Sequence, residues 1–161
     1  MKDKLAIEAV AFGDDAAISA ILDDICRVTQ MGFAAVARVT EDRWIACQVL
    51  DKIEFGLDPG DELDIKKTIC DEIRASGQRV VIDNVTENYE WRTHPVPIFY
   101  GFKSYVSLPI LFDDGEFFGT LCAIDPGPRM LSSTSIVALL EAYAAEVGDI
   151  VSAKRAGMPT V

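Results

Sequence analysis

The spacing of hydrophobic positions changes several times along the chain, and each change marks an element. After Gly13-Asp14-Asp15, where an Asp N-cap can open a helix, Ile18, Ile21, Leu22, Ile25 and Val28 recur at helical spacing, and Gly32 stands where the helix would end. Residues 33–40 and 43–50 then read as two strands joined by a turn at Glu41-Asp42. Gly56, Pro59 and Gly60 among acidic residues mark 51–62 as a loop. Ile65, Ile69 and Ile73 predict a helix over 65–76, opened by Asp64, bordered by Cys70 and ended by Gly77; residues 79–82 read as a short β-branched strand. The strongest pattern is a second hairpin, with residues 104–112 and 116–124 flanking Asp113-Asp114-Gly115. Val106, Leu108, Ile110 and Phe112 share one face of its first strand, and Tyr105, Pro109 and Leu111 the other. Apolar residues on both faces predict a sheet covered on both sides, with the polar or small Ser107, Thr120 and Cys122 facing a cavity.

Residues 83–103 show no period. They hold Tyr89, Trp91, His94, Phe99, Tyr100 and Phe102 with two prolines, too aromatic a set to lie in solvent, so the segment is expected to fold back and cover something. Asp125-Pro126-Gly127-Pro128-Arg129 stops the last strand. A long helix follows from about 134 to 155. Its Ile136, Leu140, Tyr143, Val147 and Ile150 form a heptad-like seam that Leu139 and Val151 widen. Such a seam serves either the chain's own sheet or a second copy of the domain. Hairpin strands with terminal helices imply an α+β domain with an antiparallel sheet. The expected limits are an N-terminal arm over 1–13, one domain over 14–155 and a flexible tail over 156–161.

Composition narrows the partners. Half the residues are hydrophobic and a quarter charged, as in soluble globular domains. A formal net charge of −11 without a Lys/Arg cluster argues against nucleic acid. No signal peptide is legible at the N-terminus and no apolar run suits a membrane segment, so the expected location is cytoplasmic. Cys26, Cys47, Cys70 and Cys122 lie far apart in no paired motif and read as reduced, buried thiols.

Phe118-Gly119-Thr120-Leu121-Cys122-Ala123-Ile124-Asp125-Pro126, with Arg129 and Leu131, resembles the last-strand motif of GAF domains, the small sensory modules of bacterial signalling proteins. Thr68-Ile69-Cys70-Asp71, Val80-Val81-Ile82-Asp83, His94-Pro95, Tyr100-Gly101-Phe102 and residues 104–110 extend the likeness, in a pattern similar to GAF domains at the front of bacterial sensor histidine kinases. The resemblance spans about 18–151. It implies a GAF/PAS-like antiparallel sheet of about six strands, with the N- and C-terminal helices packed together on one face, often as a dimer interface. A small-molecule pocket on the other face is closed by the segment before the central hairpin. Five strands are clear in the sequence; the sixth is expected within 52–57 or in the aperiodic segment.

The function so implied is a small-molecule-sensing or regulatory domain of a signal-transduction protein, controlling a histidine kinase or other output domain of a two-component system through its terminal helices, as a homodimer. The chain carries no phospho-acceptor His motif and no ATP-binding glycine motif, so kinase activity would lie in an attached or partner output domain. The candidate pocket is Asp83, Trp91, His94, Phe99, Tyr100, Tyr105, Ser107, Thr120 and Cys122, and the candidate dimer interface is Ile136, Leu140, Tyr143, Val147 and Ile150. The ligand, an unidentified small molecule, is not specified by these residues.

Known GAF chemistries divide on particular residues. Covalent bilin needs a reactive Cys followed by His, but the only histidine, His94, follows Thr93. The Asn-Lys…Phe…Asp-Glu signature of cyclic-nucleotide binding is missing. A lone His94 before Pro95 reads as a loop cap rather than a haem or zinc ligand, so no metal is expected. Two alternatives stay open. One is a thiol enzyme like the free methionine sulfoxide reductases, using Cys70 and Cys122; the other is a ligand-free dimerisation or relay module. Against the enzyme, Cys70 falls in mid-helix before Asp71 and Glu72, and Cys122 in an apolar strand; both settings disfavour a thiolate.

Overall fold

The structure is a computed structural model describing residues 3–65 and 68–158. Among these residues, β1 (Phe33–Val39), β2 (Trp44–Asp51), β3 (Glu62–Leu63), β4 (Val80–Ile82), β5 (Ser104–Leu111) and β6 (Phe117–Asp125) form one antiparallel sheet in the order β3-β2-β1-β6-β5-β4. The sixth strand is Glu62–Leu63, which pairs with Trp44 and Ile45, not a stretch of 52–57 or of the aperiodic segment.

The central hairpin follows its alternation. Phe112 and Glu116 close the turn through a 2.8 Å backbone bond, and Gly115 takes φ 86°, a conformation that favours glycine. Val106, Leu108, Ile110 and Phe112 all enter the core on one face, and Tyr105 enters the core on the other. Two separate cores result, one on each side of the sheet.

The first core lies under the terminal helices. Residues 4–13, expected as an arm, form helix α1 (Lys4–Gly13), capped by the Asp3 carboxylate and buried at Ala6, Ala9 and Phe12. Helix α2 (Ala16–Thr29) is capped by Asp15 as expected, but ends at Gln30 in the left-handed conformation rather than at Gly32. Phe12, Phe112 and fully buried Phe118 meet edge-on or tilted, with centroids 5.1–6.2 Å apart.

The shorter helices lie on the opposite face: α3 (Cys70–Ser76), α4 (Tyr89–Arg92) and α5 (Pro95–Tyr100). The helix expected over 65–76 is thus shorter. Ile65 is held in a preceding turn, where its carbonyl accepts from both the Thr68 amide and the Thr68 hydroxyl. Ile65, Ile69 and Ile73 are nonetheless all buried. Lys66 and Lys67 of that expected helix lie outside the described residues, as do Met1 and Lys2 of the arm and residues 159–161 of the expected tail.

The last helix, α6 (Thr134–Ala156), is capped by Ser133 and crosses the first core. Gly148 permits its approach to β5, because a Cβ there would meet the Leu111 carbonyl at 2.6 Å. Leu140 and Val147 are buried against the chain's own sheet, Tyr143 donates to the Asp24 carboxylate at 2.6 Å, and Ile136 and Ile150 are half-buried against the same core. The five seam residues therefore pack within this chain, one of the two uses the seam allowed. No described helix is long and apolar enough to cross a membrane.

Candidate functional site

The second core holds a small, partly open cavity between the sheet and residues 85–103. Short sequence signals order that covering segment. Asn84, Asn88 and His94 each place a side-chain acceptor on the first amides of the turn or helix that follows, Thr86, Trp91 and Val96 respectively. What reads as irregular in sequence is therefore a series of capped helical turns. They bring Val96, Tyr100 and Phe102 over the sheet, where Tyr100 meets Phe55 at 5.7 Å and Phe102 stacks on Tyr105 at 5.2 Å.

The cavity measures about 40 Å³, and its walls include Phe33, Trp44, Phe55, Leu57, Tyr100 and Tyr105. That is room for roughly two or three water molecules. Two thiols, Cys70 and Cys122, supply its chemically distinctive wall.

Cys70 is the first residue of α3, not a mid-helix residue. Its sulfur is ringed by hydrogen-bonding side chains from three strands. The Thr120 hydroxyl lies at 3.1 Å, the Trp44 Nε1–H donates at 3.4 Å, and the Tyr105 and Ser107 hydroxyls lie at 3.6 and 3.8 Å. The Cys122 side chain, on the same cavity wall, interacts with it as well. The acidic neighbours are engaged elsewhere, Asp71 with Arg74 at 3.2 Å and Glu72 with His94 at 3.4 Å.

The hydrogen bond from Cys122 acts most strongly on Cys70. Together with those from Thr120, Tyr105 and Trp44 it outweighs burial and holds the Cys70 thiol below its ordinary value. Cys122 moves the opposite way, well up, through the same shared bond, through burial and through the nearby Cys70 charge. The expectation that both settings disfavour a thiolate therefore holds for Cys122 but not for Cys70, where hydrogen bonding outweighs burial.

The expected pocket residues divide. Tyr100, Tyr105 and Cys122 line the cavity, and Ser107 and Thr120 reach it through Cys70. Trp91 packs against the second core without lining the cavity, 5.0 Å from the His94 ring, while Phe99 is exposed and edge-on to Tyr100. His94 caps α5 through Nδ1. Asp83 points away from the cavity, accepting from the Leu131 amide at 2.8 Å and the Ser132 hydroxyl at 2.6 Å, and its carboxylate fastens the loop before α6. Trp44, Phe33, Phe55 and Leu57 were not foreseen, and Cys70 was named only for the thiol-enzyme alternative.

The family model for the GAF domain matches residues 15–151. The chain belongs to the GAF family. Similar solved structures share the GAF fold at low identity. One is the GAF domain from Acinetobacter phosphoenolpyruvate-protein phosphotransferase, 9% identical over 96% of this chain and 98% of that one, with TM-score 0.69. Another is the GAF domain of a two-component sensor histidine kinase from Bacillus halodurans, 14% identical over 90% and 98%, with TM-score 0.67. A type II free methionine-R-sulfoxide reductase from Thermoplasma acidophilum is 13% identical over 92% and 95%, with TM-score 0.64. No curated protein matches the chain by sequence. In this GAF domain the cavity lies on the sheet face opposite the terminal helices, as the family resemblance implied.

Proposed function

We propose that this GAF domain senses a small molecule and regulates the output of a bacterial signalling protein, a histidine kinase of a two-component system, through its terminal helices. One observation supports the reading most: an apolar cavity sits beneath a segment that closes it with three side chains, Val96, Tyr100 and Phe102. At about 40 Å³ the cavity admits only very small molecules while that cover is seated. A larger ligand must displace the cover, so binding and conformation are coupled by volume alone. The sheet then carries the change. The β5 strand presents Tyr105 to the cavity and Val106, Leu108 and Ile110 to the core beneath α6, so a shift of one face reaches the other.

Amide hydrogen exchange tests this reading without knowledge of the ligand. Protein as purified is compared with protein stripped by unfolding, dialysis and refolding. The expected result is faster exchange in both 85–103 and α6 after stripping. Unchanged exchange in both segments, with no small molecule released, would overturn it.

A further inference from the structure

The cavity wall suggests what kind of signal the domain receives. Two thiols line one cavity, one of them surrounded by four other hydrogen-bonding groups, and neither belongs to the terminal-helix core. Thr120 and Cys122 are two residues apart on β6 and so face the same side of the sheet, and Ser107 lies directly opposite Cys122 on β5. Cys122 therefore sits among the Thr120, Ser107 and Tyr105 side chains that touch the Cys70 sulfur. The other two cysteines, Cys26 and Cys47, belong to the opposite core.

We propose that Cys70 and Cys122 are an oxidisable thiol pair whose substrate is hydrogen peroxide. Cys70 is the attacking sulfur and Cys122 the resolving one. The Cys70 thiolate attacks one peroxide oxygen, the O–O bond breaks, and the departing hydroxide takes up a proton to leave as water, giving Cys70 sulfenic acid. The Cys122 sulfur then attacks the Cys70 sulfur, the S–O bond breaks, and the sulfenic oxygen leaves as a second water with the Cys122 proton. Each sulfur gives up one electron, the two peroxide oxygens gain one each, and a Cys70–Cys122 disulfide remains.

Geometry assigns the supporting roles. Trp44, Tyr105, Ser107 and Thr120 position and stabilise the anionic sulfur, and the hydroxyls also face the oxygen that must leave. Size sets the selectivity. A space of about 40 Å³ accepts a molecule of two heavy atoms, whereas an alkyl hydroperoxide or a free amino acid sulfoxide does not fit beneath the seated cover. This inference rests on the sensing reading and names its signal.

The test treats the full chain with a small excess of hydrogen peroxide, alkylates the remaining thiols under denaturing conditions and maps the peptides. The expected product has lost two hydrogens as a Cys70–Cys122 cross-link, with Cys26 and Cys47 alkylated. Cys122→Ser should instead gain one oxygen at Cys70, captured by a dimedone-type nucleophile. Thr120→Val, which keeps the side-chain shape, should react about tenfold more slowly. tert-Butyl hydroperoxide should be much the slower oxidant in the parent chain. Four alkylated thiols after treatment, or equal oxidation of Cys26 and Cys47, would overturn the proposal, and the parent chain alone decides this if a variant fails to fold. The two readings fail separately. A retained organic ligand without the cross-link removes only the peroxide inference; a cross-link that leaves exchange in α6 unchanged removes only the regulatory reading.

Discussion

The Cys70 sulfur lies 3.1 Å from the Thr120 hydroxyl, so the first residue of α3 is joined to the interior of β6 across the candidate cavity. With Cys122, which acts most strongly, and with Tyr105 and Trp44, this contact makes Cys70 chemically unlike the chain's other cysteines. Burial, the largest effect on each, pushes Cys26 up to about 11 and Cys47 up to about 12, and Cys122 is also raised. The groups facing Cys70 that titrate, Tyr105 and Cys122, are both raised and remain protonated donors. In a spectroscopic thiolate titration the first thiolate to form is therefore predicted to be Cys70, below the ordinary thiol value of 9.0. Cys70→Ala should abolish that first step and Thr120→Val should move it upward.

The same shifts give a sign to alkaline stability. Cys26, Cys47 and Cys122 have folded values above the unfolded one, so their contribution is complete below about pH 9 and is lost as pH rises through the folded values. Cys70 works the other way: its contribution is present above the unfolded value and is lost as pH falls through its lowered one. With three thiols set against one, denaturant midpoints are predicted to fall above about pH 9. Replacing Cys26 and Cys47 together by Ala or Val should flatten that fall.

Acid should loosen one cavity wall. Burial pushes Asp51 up, but amide hydrogen bonds from Gly56, Phe55 and Ile53 outweigh it and hold the carboxyl below its ordinary value. A lowered carboxyl contributes stability above the unfolded value of 3.8 and loses it as pH falls through the folded value. Amide exchange around Phe55 and Leu57, which line the cavity, is predicted to quicken in that window. Asp51→Asn should show the faster exchange already at neutral pH.

Asp83 is predicted to matter for stability and not for ligand capture. Its carboxylate holds the Leu131 amide and the Ser132 hydroxyl, away from the cavity. Asp83→Ala should cost about 2 kcal/mol in denaturant titration, the scale of hydrogen bonds to a charged group. Peroxide-driven cross-linking under native conditions should be unchanged.

Leu140 is a core position of this chain, 2% exposed beneath α6. Leu140→Ala is expected to cost about 2–5 kcal/mol. Sedimentation should show the same oligomeric state as the parent at concentrations where both are folded; dissociation without loss of stability would instead make the seam an interface between copies.

The sheet was legible where alternation is strong. The hairpin of β5 and β6 follows from its two apolar faces, and the same alternation directs Ser107, Thr120 and Cys122 to the cavity side. Three features left no local signal. Strand β3 is two residues long, too short for alternation. Helix α1 buries two alanines with Phe12, so no large apolar stripe announces it. The donor cage joins Cys70 to residues 26–50 positions away, and the Ile65-Ile69-Ile73 pattern, which a turn and a helix satisfy together, concealed that Cys70 begins its helix. The cover was foreseen from aromatic content. Its internal order comes from Asn84, Asn88 and His94 acting as caps in too short a space for periodicity to show.

Native mass spectrometry of the chain purified from its own source is the most direct measurement of the central claim, that the space beneath Tyr100 and above Cys70 receives a small signal molecule. The predicted spectrum shows a population carrying the signal, either as a non-covalent mass released on denaturation or as the loss of two hydrogens mapped to Cys70 and Cys122. A bare, fully reduced chain that neither retains a small molecule nor acquires that cross-link under peroxide would contradict it.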